Sequence, residues 1–321
     1  MGELPETLAF DADIPAEMHG IRLDQAAVQL FSDYSRSKLQ EWILDGSLTV
    51  DGETRRPKDK VSVGQQLTIR AQRLPEVIWS GEDRPLDILF EDEHIFVVNK
   101  PAGLVVHPAA GHTAGTLVNA LIGYAPELET LPRGGIVHRL DKDTSGVMCV
   151  ARSPMAHRSL VAQLSARTVK REYVAVCQGV LSGGGTIDQP IGQHPSARTK
   201  MAVTGSGKPA VTHYRVQERF AHHTAIQVNL ETGRTHQIRV HMAWCKHPLV
   251  GDPAYGGRLR VPKGASDTLL TALRGFSRQA LHAQSLRFLH PATNEEIGFR
   301  AALPMDLAEL LAVLKREDRP E

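Results

Sequence analysis

Residues 138–146 read His-Arg-Leu-Asp-Lys-Asp-Thr-Ser-Gly and lead directly into the apolar run Val147-Met148-Cys149-Val150-Ala151. His138, Arg139, Lys142 and Asp143 crowd one carboxylate, Asp141, where a loop becomes a strand. A carboxylate kept ionised by neighbouring cations can attack an electrophile or take a proton, and such groups collect at reaction sites. Taken alone, an acid flanked by basic residues is more often a surface ion pair or a turn cap. The other blocks of the chain decide between these two explanations.

Four such blocks stand out. Asn99-Lys100-Pro101-Ala102-Gly103-Leu104-Val105-Val106-His107-Pro108 is a strand followed by a rigid, glycine-punctuated loop. Lys170-Arg171-Glu172-Tyr173 sets a phenol at the head of a strand. The segment Glu231-Thr232-Gly233-Arg234-Thr235-His236-Gln237-Ile238-Arg239-Val240-His241 turns from strand to helix through a glycine, and Pro248-Leu249-Val250-Gly251-Asp252 closes that helix. Each has a plain structural explanation by itself: a core tyrosine, a surface ion pair for Arg239, a loop cap for His107. His107, His138, His236 and His241 fall in separate blocks without paired cysteine or carboxylate ligands at a recognisable spacing, so no metal site is expected. Gly183-Gly184-Gly185 is a turn, since no strand-and-helix frame surrounds it as a phosphate loop requires.

The elements that must position these blocks follow from periodicity. Arg22-Leu23-Asp24 opens a helix with Ala27, Leu30 and Phe31 on one side. Ser37 is placed to cap a second, in which Leu39, Trp42 and Ile43 repeat until Gly46. Leu48-Val50 reads as a strand, Asp51-Gly52 as a tight turn, and Val61-Gly64 with Leu67-Ile69 as return strands. Arg36 and Lys38 lie at the start of the second helix, where a phosphate is well received. Further on, Ile95–Asn99 is a buried strand, and Leu117, Ala120, Leu121 and Tyr124 mark a helix. Ser153-Pro154 caps another helix with Leu160, Val161 and Leu164, and strands follow at 173–180, 211–217 and 224–230. Leu307, Leu310, Leu311 and Leu314 form the core-facing stripe of a last helix. Periodicity alone supports a mixed α/β chain.

Bulk properties bound the class. The chain has 321 residues, of which 41% are hydrophobic and 23% charged, as in an ordinary globular protein. Cys149, Cys177 and Cys245 are widely spaced inside apolar runs, which reads as small core residues in a reducing compartment. No apolar stretch approaches the roughly eighteen residues of a membrane span, and residues 1–17 are too acidic for the basic head of a secretory signal. The cytoplasm is the expected location. The net charge is only +1, yet its distribution is uneven. Residues 1–20 hold five acids and no Lys or Arg, whereas residues 133–173 hold eight basic residues against three acids, and 198–274 twelve against four. Local potential, not the total, attracts a polyanion.

Residues 21–70 resemble the S4 RNA-binding domain through Arg22-Leu23-Asp24, Ser35-Arg36-Ser37-Lys38-Leu39-Gln40 and Gly46-Ser47-Leu48-Thr49-Val50-Asp51-Gly52. From about Pro85 onward the five blocks, in this order, resemble the RluA/RluD family of RNA pseudouridine synthases. His194-Pro195, the run Arg198–Val203 and the run Gly207–Tyr214 are similar to the RluD type. The resemblance implies an α+β fold: a largely antiparallel, bisected sheet crossed by a cleft, behind a small S4-like α/β module. The expected divisions are an N-terminal tail over 1–19, the S4-like module over 20–72, a linker over 73–85 and the catalytic domain over 86–321.

The resemblance further implies that Asp141 is the catalytic aspartate and that Tyr173 stacks on the target base and assists late proton removal. It also implies that Arg239, chosen over Arg234, pairs with Asp141. Arg139 and Lys142 would support the loop and phosphate, with His107, Arg234, Arg36 and Lys38 as further RNA-binding candidates. The implied partner is a stem-loop of large-subunit (23S) ribosomal RNA or its precursor, with no membrane and no obligate protein partner. The implied reaction detaches uracil at N1, rotates it and rejoins it through C5. No group enters or leaves and no redox change occurs, so no cofactor is expected. A carboxylate can attack C1′ or C6, or assist proton removal from the sugar. Two alternatives stand beside this: the same chemistry on transfer RNA or other ribosomal uridines, and a non-catalytic RNA-binding assembly factor.

Overall fold

The computed structural model describes residues 7–31, 34, 36–72, 80–108, 114–197 and 199–319. Two compact units divide the chain, Met1–Ile78 and Trp79–Glu321.

The first unit is a three-stranded antiparallel sheet with two helices. Its elements are β1 (Thr7–Asp13), α1 (Leu23–Leu30), α2 (Arg36–Asp45), β2 (Leu48–Val50) and β3 (Gln66–Gln72), with the sheet ordered β1-β3-β2. Leu23, Ala26, Ala27, Leu39, Trp42 and Ile43 of the helices meet Leu48, Val50, Leu67 and Ile69 of the sheet in one core. Asp51-Gly52 forms the expected turn, across which Val50 and Glu53 exchange both backbone hydrogen bonds at 2.9 Å.

Three expectations for this unit are corrected. The segment expected as a tail over 1–19 contains β1, paired residue for residue with β3 from Thr7↔Gln72 to Asp13↔Gln66. Its acids masked an alternation in which Leu8 and Ala12 pack against the core. Val61–Gly64 is not a strand; the Val61 N–H bonds to Ile21 O and the Gly64 N–H to Ile14 O, tying a loop to other loops. Because α2 begins at Arg36, Ser37 lies inside its first turn and is not its cap; Ser35 lies outside the described residues, as does Arg198 of the RluD-like run.

The expected linker over 73–85 falls partly outside the described residues, but 80–82 belong to the second unit. Asn119 Nδ2 donates to Ser80 O (3.0 Å), the Glu82 N–H donates to Asn119 O (2.9 Å), and Glu82 Oε1 accepts from the Gly115 N–H (2.8 Å). This docking depends on two bare backbones meeting: a Cβ on Gly81 would sit 2.8 Å from Gly123 Cα.

The second unit is built on a mixed sheet. Its elements are β4 (Ile88–Glu91), β5 (Ile95–Lys100), α3 (Leu117–Tyr124), β6 (Ser145–Ala151), α4 (Pro154–Ser165), β7 (Lys170–Gln178) and β8 (Gly185–Asp188). After these come β9 (Ile191–Gln193), β10 (Met201–Val203), β11 (Val211–Arg219), β12 (His223–Leu230) and α5 (Gln237–Trp244). The chain ends with α6 (Asp267–Gly275), β13 (Leu281–Leu289), β14 (Glu296–Arg300) and α7 (Met305–Glu317). The main sheet runs β4-β5-β6-β13-β7-β12-β11-β8, with β14 beside β13 and a separate β9–β10 hairpin.

Alternation in β5 and β6 splits the core between two faces. Phe96, Val98, Met148 and Val150 join α3 on one side; Ile95, Val97, Val147, Cys149 and Ala151 join Ala156 and Leu160 of α4 on the other. Such strands are buried on both faces, which is why they read as unbroken apolar runs. Ser153 caps α4 as expected, its Oγ accepting the Ala156 N–H (3.2 Å). Leu307, Leu310 and Leu314 of α7 are buried against α6 residues Leu269 and Leu273.

Among the described residues one pairing of this sheet is parallel, β6 with β13, through His282↔Ser145 and Ala283↔Gly146. It lies immediately after the Asp141 loop. Gly146 adopts φ +119°, and a Cβ there would lie 2.1 Å from Ala283 O. We expect Gly146→Ala to lower stability by at least about 3 kcal/mol, read by chemical unfolding, since both the backbone conformation and the strand spacing oppose a side chain.

Candidate active site

The loop that carries Asp141 is held from below by a buried lysine. Lys100, 1% exposed at the end of β5, donates to Pro101 O (2.9 Å), Leu104 O (2.9 Å) and Lys142 O (2.8 Å). The Gly103 N–H also reaches Lys142 O, at 3.0 Å. Two loops far apart in sequence are thereby joined through backbone carbonyls. Burial pushes Lys100 down to about 7, against the opposing pull of Asp143 and Asp141. On the other flank Arg278 Nη1 donates to Asp143 O (3.2 Å) and Gln279 Nε2 to Thr144 Oγ1 (2.9 Å). The Thr144 N–H closes the turn on Asp141 O at 3.1 Å.

Asp141 meets Arg239 of α5. Arg239 Nη1 donates to Asp141 Oδ2 at 2.9 Å, while Nε and Nη2 donate to the two oxygens of Asp252 at 2.7 and 2.9 Å. The fork is thus divided, with two N–H groups on one carboxylate and a third on the other. Burial alone would lower the Arg239 pKa; its bonds to Asp252 and the nearness of Asp141 outweigh burial and hold it above the ordinary arginine value. Asp252 is the inverse case. Burial would raise it, but Arg239 and the N–H groups of Tyr255 and Ala254 hold it below the usual carboxylate range. The two acids differ in access: the Asp252 side chain is 0% exposed, that of Asp141 21%. The carboxylate that a ligand can reach is Asp141.

Asp141 opens into a cleft of roughly 780 Å³, the size range of small-molecule sites. Its apolar lining includes Tyr173 of β7, Leu281 of β13, Leu230 and Ile238. Tyr173 is 7% exposed, and burial pushes its phenol pKa up. Around this floor stand Arg133, Arg139, Arg167, Arg171 and Arg234. His107 lines the same cleft; burial, helped by Arg133 and Arg139, pushes it down to about 4, so the ring is neutral near pH 7.

The structure therefore brings together Asp141, Tyr173, Arg239, Arg139, His107 and Arg234. Between the two arginines of the strand-to-helix block, Arg239 is the one that meets Asp141; Arg234 Nε donates to Pro209 O (3.0 Å) at the rim. The exposed Lys142 side chain is not in the cleft lining; its carbonyl is what the site uses. His138 supports the strand: Nε2 accepts the Cys149 N–H at 3.0 Å, and burial, with Arg171 nearby, pushes the ring down to about 3. Arg36 and Lys38 lie in the first unit. Arg36, with Arg22 and Gln40, binds the buried Asp24, and Lys38 pairs with Glu41 beside the Trp42 ring.

Residues given no role from the sequence are Asp252, Lys100, His236, Arg133, Arg167 and Arg171. Asp252, Lys100, His236 and Arg171 lie inside blocks already singled out, but a pairing between separate blocks leaves no mark in local spacing. Arg133 and Arg167 carry a different signal, visible only in the backbone: both are non-glycine residues at positive φ, 56° and 60°.

Two measurements test this arrangement. Asp252→Ala strands a buried guanidinium and should cost about 3 kcal/mol in urea unfolding; Asp141→Asn, at a part-exposed carboxylate, should cost about 1 kcal/mol or less. The second concerns His138. Its folded pKa of about 3 lies below the unfolded 6.5, so its contribution is complete above pH 6.5 and is lost as pH falls toward 3. At pH 5 that loss is about 2 kcal/mol relative to pH 7. A His138→Gln variant, which keeps an acceptor for Cys149 but does not titrate, should lack this component.

Comparison with known proteins agrees with the geometry. A family model described as RNA pseudouridylate synthase matches residues 94–244, and an S4 domain model matches residues 21–67. A Pseudomonas aeruginosa protein named ribosomal large subunit pseudouridine synthase D is 56% identical over 96% of this chain and 96% of its own. The Escherichia coli K12 protein of the same name is 50% identical over 98% of this chain and 97% of its own. Among solved structures, human RNA pseudouridylate synthase domain containing 4 covers 73% of this chain and 94% of its own, with 27% identity and a TM-score of 0.56. Human RNA pseudouridylate synthase domain containing 1 covers 75% and 99%, with 26% identity and a TM-score of 0.53. The chain belongs to the RNA pseudouridine synthase family and carries an S4 domain ahead of its synthase domain.

Proposed function

We propose that the protein isomerises uridine to pseudouridine in large-subunit ribosomal RNA, with Asp141 as the group that acts on the nucleoside. The observation that carries this is the part-exposed Asp141 carboxylate, bonded to Arg239 at the base of an arginine-lined cleft. The relatives named ribosomal large subunit pseudouridine synthase D supply the RNA class.

The reaction breaks the C1′–N1 bond, turns the freed uracil and makes a C1′–C5 bond; the C5 proton leaves and N1 gains one, so the base is isomerised without an added group. Asp141 can begin it by attack at C1′ or C6, or by taking a proton from the sugar, and each route uses the anion. Arg239 offers the anion one N–H, and Asp252 balances the remaining guanidinium charge. The uridine must leave its stack, at a cost of a few kcal/mol. The Tyr173 ring on the cleft floor returns part of that by stacking. Burial keeps its phenol protonated, which favours stacking over service as a base.

The rim arginines and His107 fit the phosphates and sugar edges beside the extruded nucleotide. In the S4 unit, Arg22 and Arg36 are anchored on Asp24 yet 46% and 54% exposed, which leaves them able to meet a phosphate. The cytoplasm is the site of action in this reading, in keeping with three unpaired cysteines, two of them buried. An RNA-binding assembly factor would have no use for a carboxylate, a guanidinium and a phenol converging on one cleft.

Release of tritium from RNA labelled at uridine C5 tests the activity directly. The wild-type protein should release it from large-subunit RNA. Asp141→Asn should lose about a thousandfold in rate, with RNA affinity changed by no more than about threefold. Substantial turnover by that variant would remove Asp141 from its role, and release confined to transfer RNA would move the substrate.

A further inference from the structure

Arg239 holds only one oxygen of Asp141, Oδ2. The other, Oδ1, faces His236 Nε2 at 3.9 Å. His236 precedes α5 in the left-handed conformation, φ 57° and ψ 22°, an arrangement that costs a non-glycine residue about 1–2 kcal/mol. Its other nitrogen, Nδ1, lies 2.8 Å from the Tyr255 hydroxyl. Tyr255 is bound on three sides. Its N–H donates to Asp252 Oδ1 (3.0 Å), its ring lies 5.0 Å from the Arg239 guanidinium, and its phenol oxygen accepts the Met201 N–H of β10 (2.9 Å).

Counting protons along this chain gives a definite order. The Met201 amide can only donate, so it occupies a lone pair of the phenol oxygen. Among the described residues, the acceptor within reach of the phenol's own proton is His236 Nδ1. Burial lowers the His236 pKa, so the neutral ring carries one proton. With Nδ1 accepting from Tyr255, that proton sits on Nε2, facing the carboxylate. The opposite tautomer would turn a bare nitrogen lone pair toward Asp141 Oδ1 and repel it.

We propose that Tyr255 and His236 form a positioning pair in which Tyr255 locks His236 as its Nε2–H tautomer and His236 aims that N–H at Asp141 Oδ1. Arg239 alone leaves the carboxylate free to pivot about its bonded oxygen; a second N–H on Oδ1 sets its rotation. The 3.9 Å gap shortens when the nucleotide fills the cleft, as catalytic hydrogen bonds commonly do on substrate binding. The β9–β10 hairpin enters the site through this pair, because its Met201 N–H is what turns the phenol proton toward the histidine. The proposal rests on Asp141 being the reacting group.

The test combines kinetics with the tautomer itself. In the full-length protein with 15N-labelled histidine, the His236 imidazole should show a protonated Nε2 and an unprotonated Nδ1, the signals being assigned by their loss in His236→Ala. Tyr255→Phe keeps the ring over Arg239 and removes the hydroxyl. It should mix the two tautomers and lower kcat for tritium release about tenfold, with KM within about twofold. In the His236→Ala background, itself slowed by a similar factor, the Tyr255→Phe change should add nothing. A wild-type spectrum with the proton on Nδ1 overturns the proposal without recourse to any variant. Equal losses from Tyr255→Phe in both backgrounds overturn it too, since the tyrosine would then act through Arg239 or the hairpin. Inactive Asp141→Asn with Tyr255→Phe at the wild-type rate defeats the pair alone, whereas active Asp141→Asn defeats the assignment beneath it.

Discussion

A guanidinium shared between two carboxylates is the constraint from which the rest of the synthase domain follows. Taking Arg239 out of water costs several kcal/mol unless its charge is met at close range and its N–H groups are used. Asp252, fully buried and bonded twice, meets that charge. Once Asp252 holds two of the donors, the direction of the third is set, and it points at Asp141. The two acids divide accordingly: the inner carboxylate meets the buried cation, and the outer one stays part-exposed in the cleft.

For that third N–H to find its partner, two segments of backbone must be placed to within a fraction of an ångström. One is the start of α5, where left-handed His236 turns the chain so that Arg239 faces inward. The other is the Asp141 loop, which has no regular structure of its own and is defined from outside. Lys100 takes its Lys142 carbonyl from one side, Arg278 and Gln279 hold it from the other, and the parallel junction at Gly146 anchors its exit. Polar groups in a loop are otherwise left to water, which allows motion. Here the protein supplies its own partners for the Lys142 and Asp143 carbonyls and the Thr144 hydroxyl.

Much of this was legible in the sequence, in proportion to how local each signal is. The two-face burial of β5 and β6 appears as continuous apolar runs, and the cap of α4 and the stripe of α7 as plain spacing. Strand β1 was hidden because its alternation is carried by Leu8 and Ala12 among acids, and an edge strand needs only one greasy side. The Asp141–Arg239 pair followed from resemblance, not from spacing, since 98 residues separate them. Lys100 and Lys142 lie 42 residues apart and meet through a carbonyl, a group every residue has, so no residue type could announce the contact. Asp252 stands 13 residues beyond its arginine, across a helix end, where a helical periodicity has lost its phase.

The chain's net charge of +1 conceals the character of the site for a physical reason. Among the described residues, six arginines and no lysine line the cleft, against Asp141 and Glu231. Charges separated by more than the Debye length, about 8 Å in physiological salt, are largely screened from one another. A cluster gathered in one concavity therefore has a local potential that the chain's total does not report, and low-dielectric walls strengthen what is inside it. The choice of arginine also matters: its planar fork stays charged, binds phosphate or carboxylate with two parallel bonds and stacks on bases. Arg133 and Arg167 occupy backbone conformations in which glycine would be relaxed, so the fold bears about 1–3 kcal/mol of strain at each. Neither residue is buried, and packing does not require its side chain. Both side chains line the cleft into which Asp141 opens, and there they add positive charge.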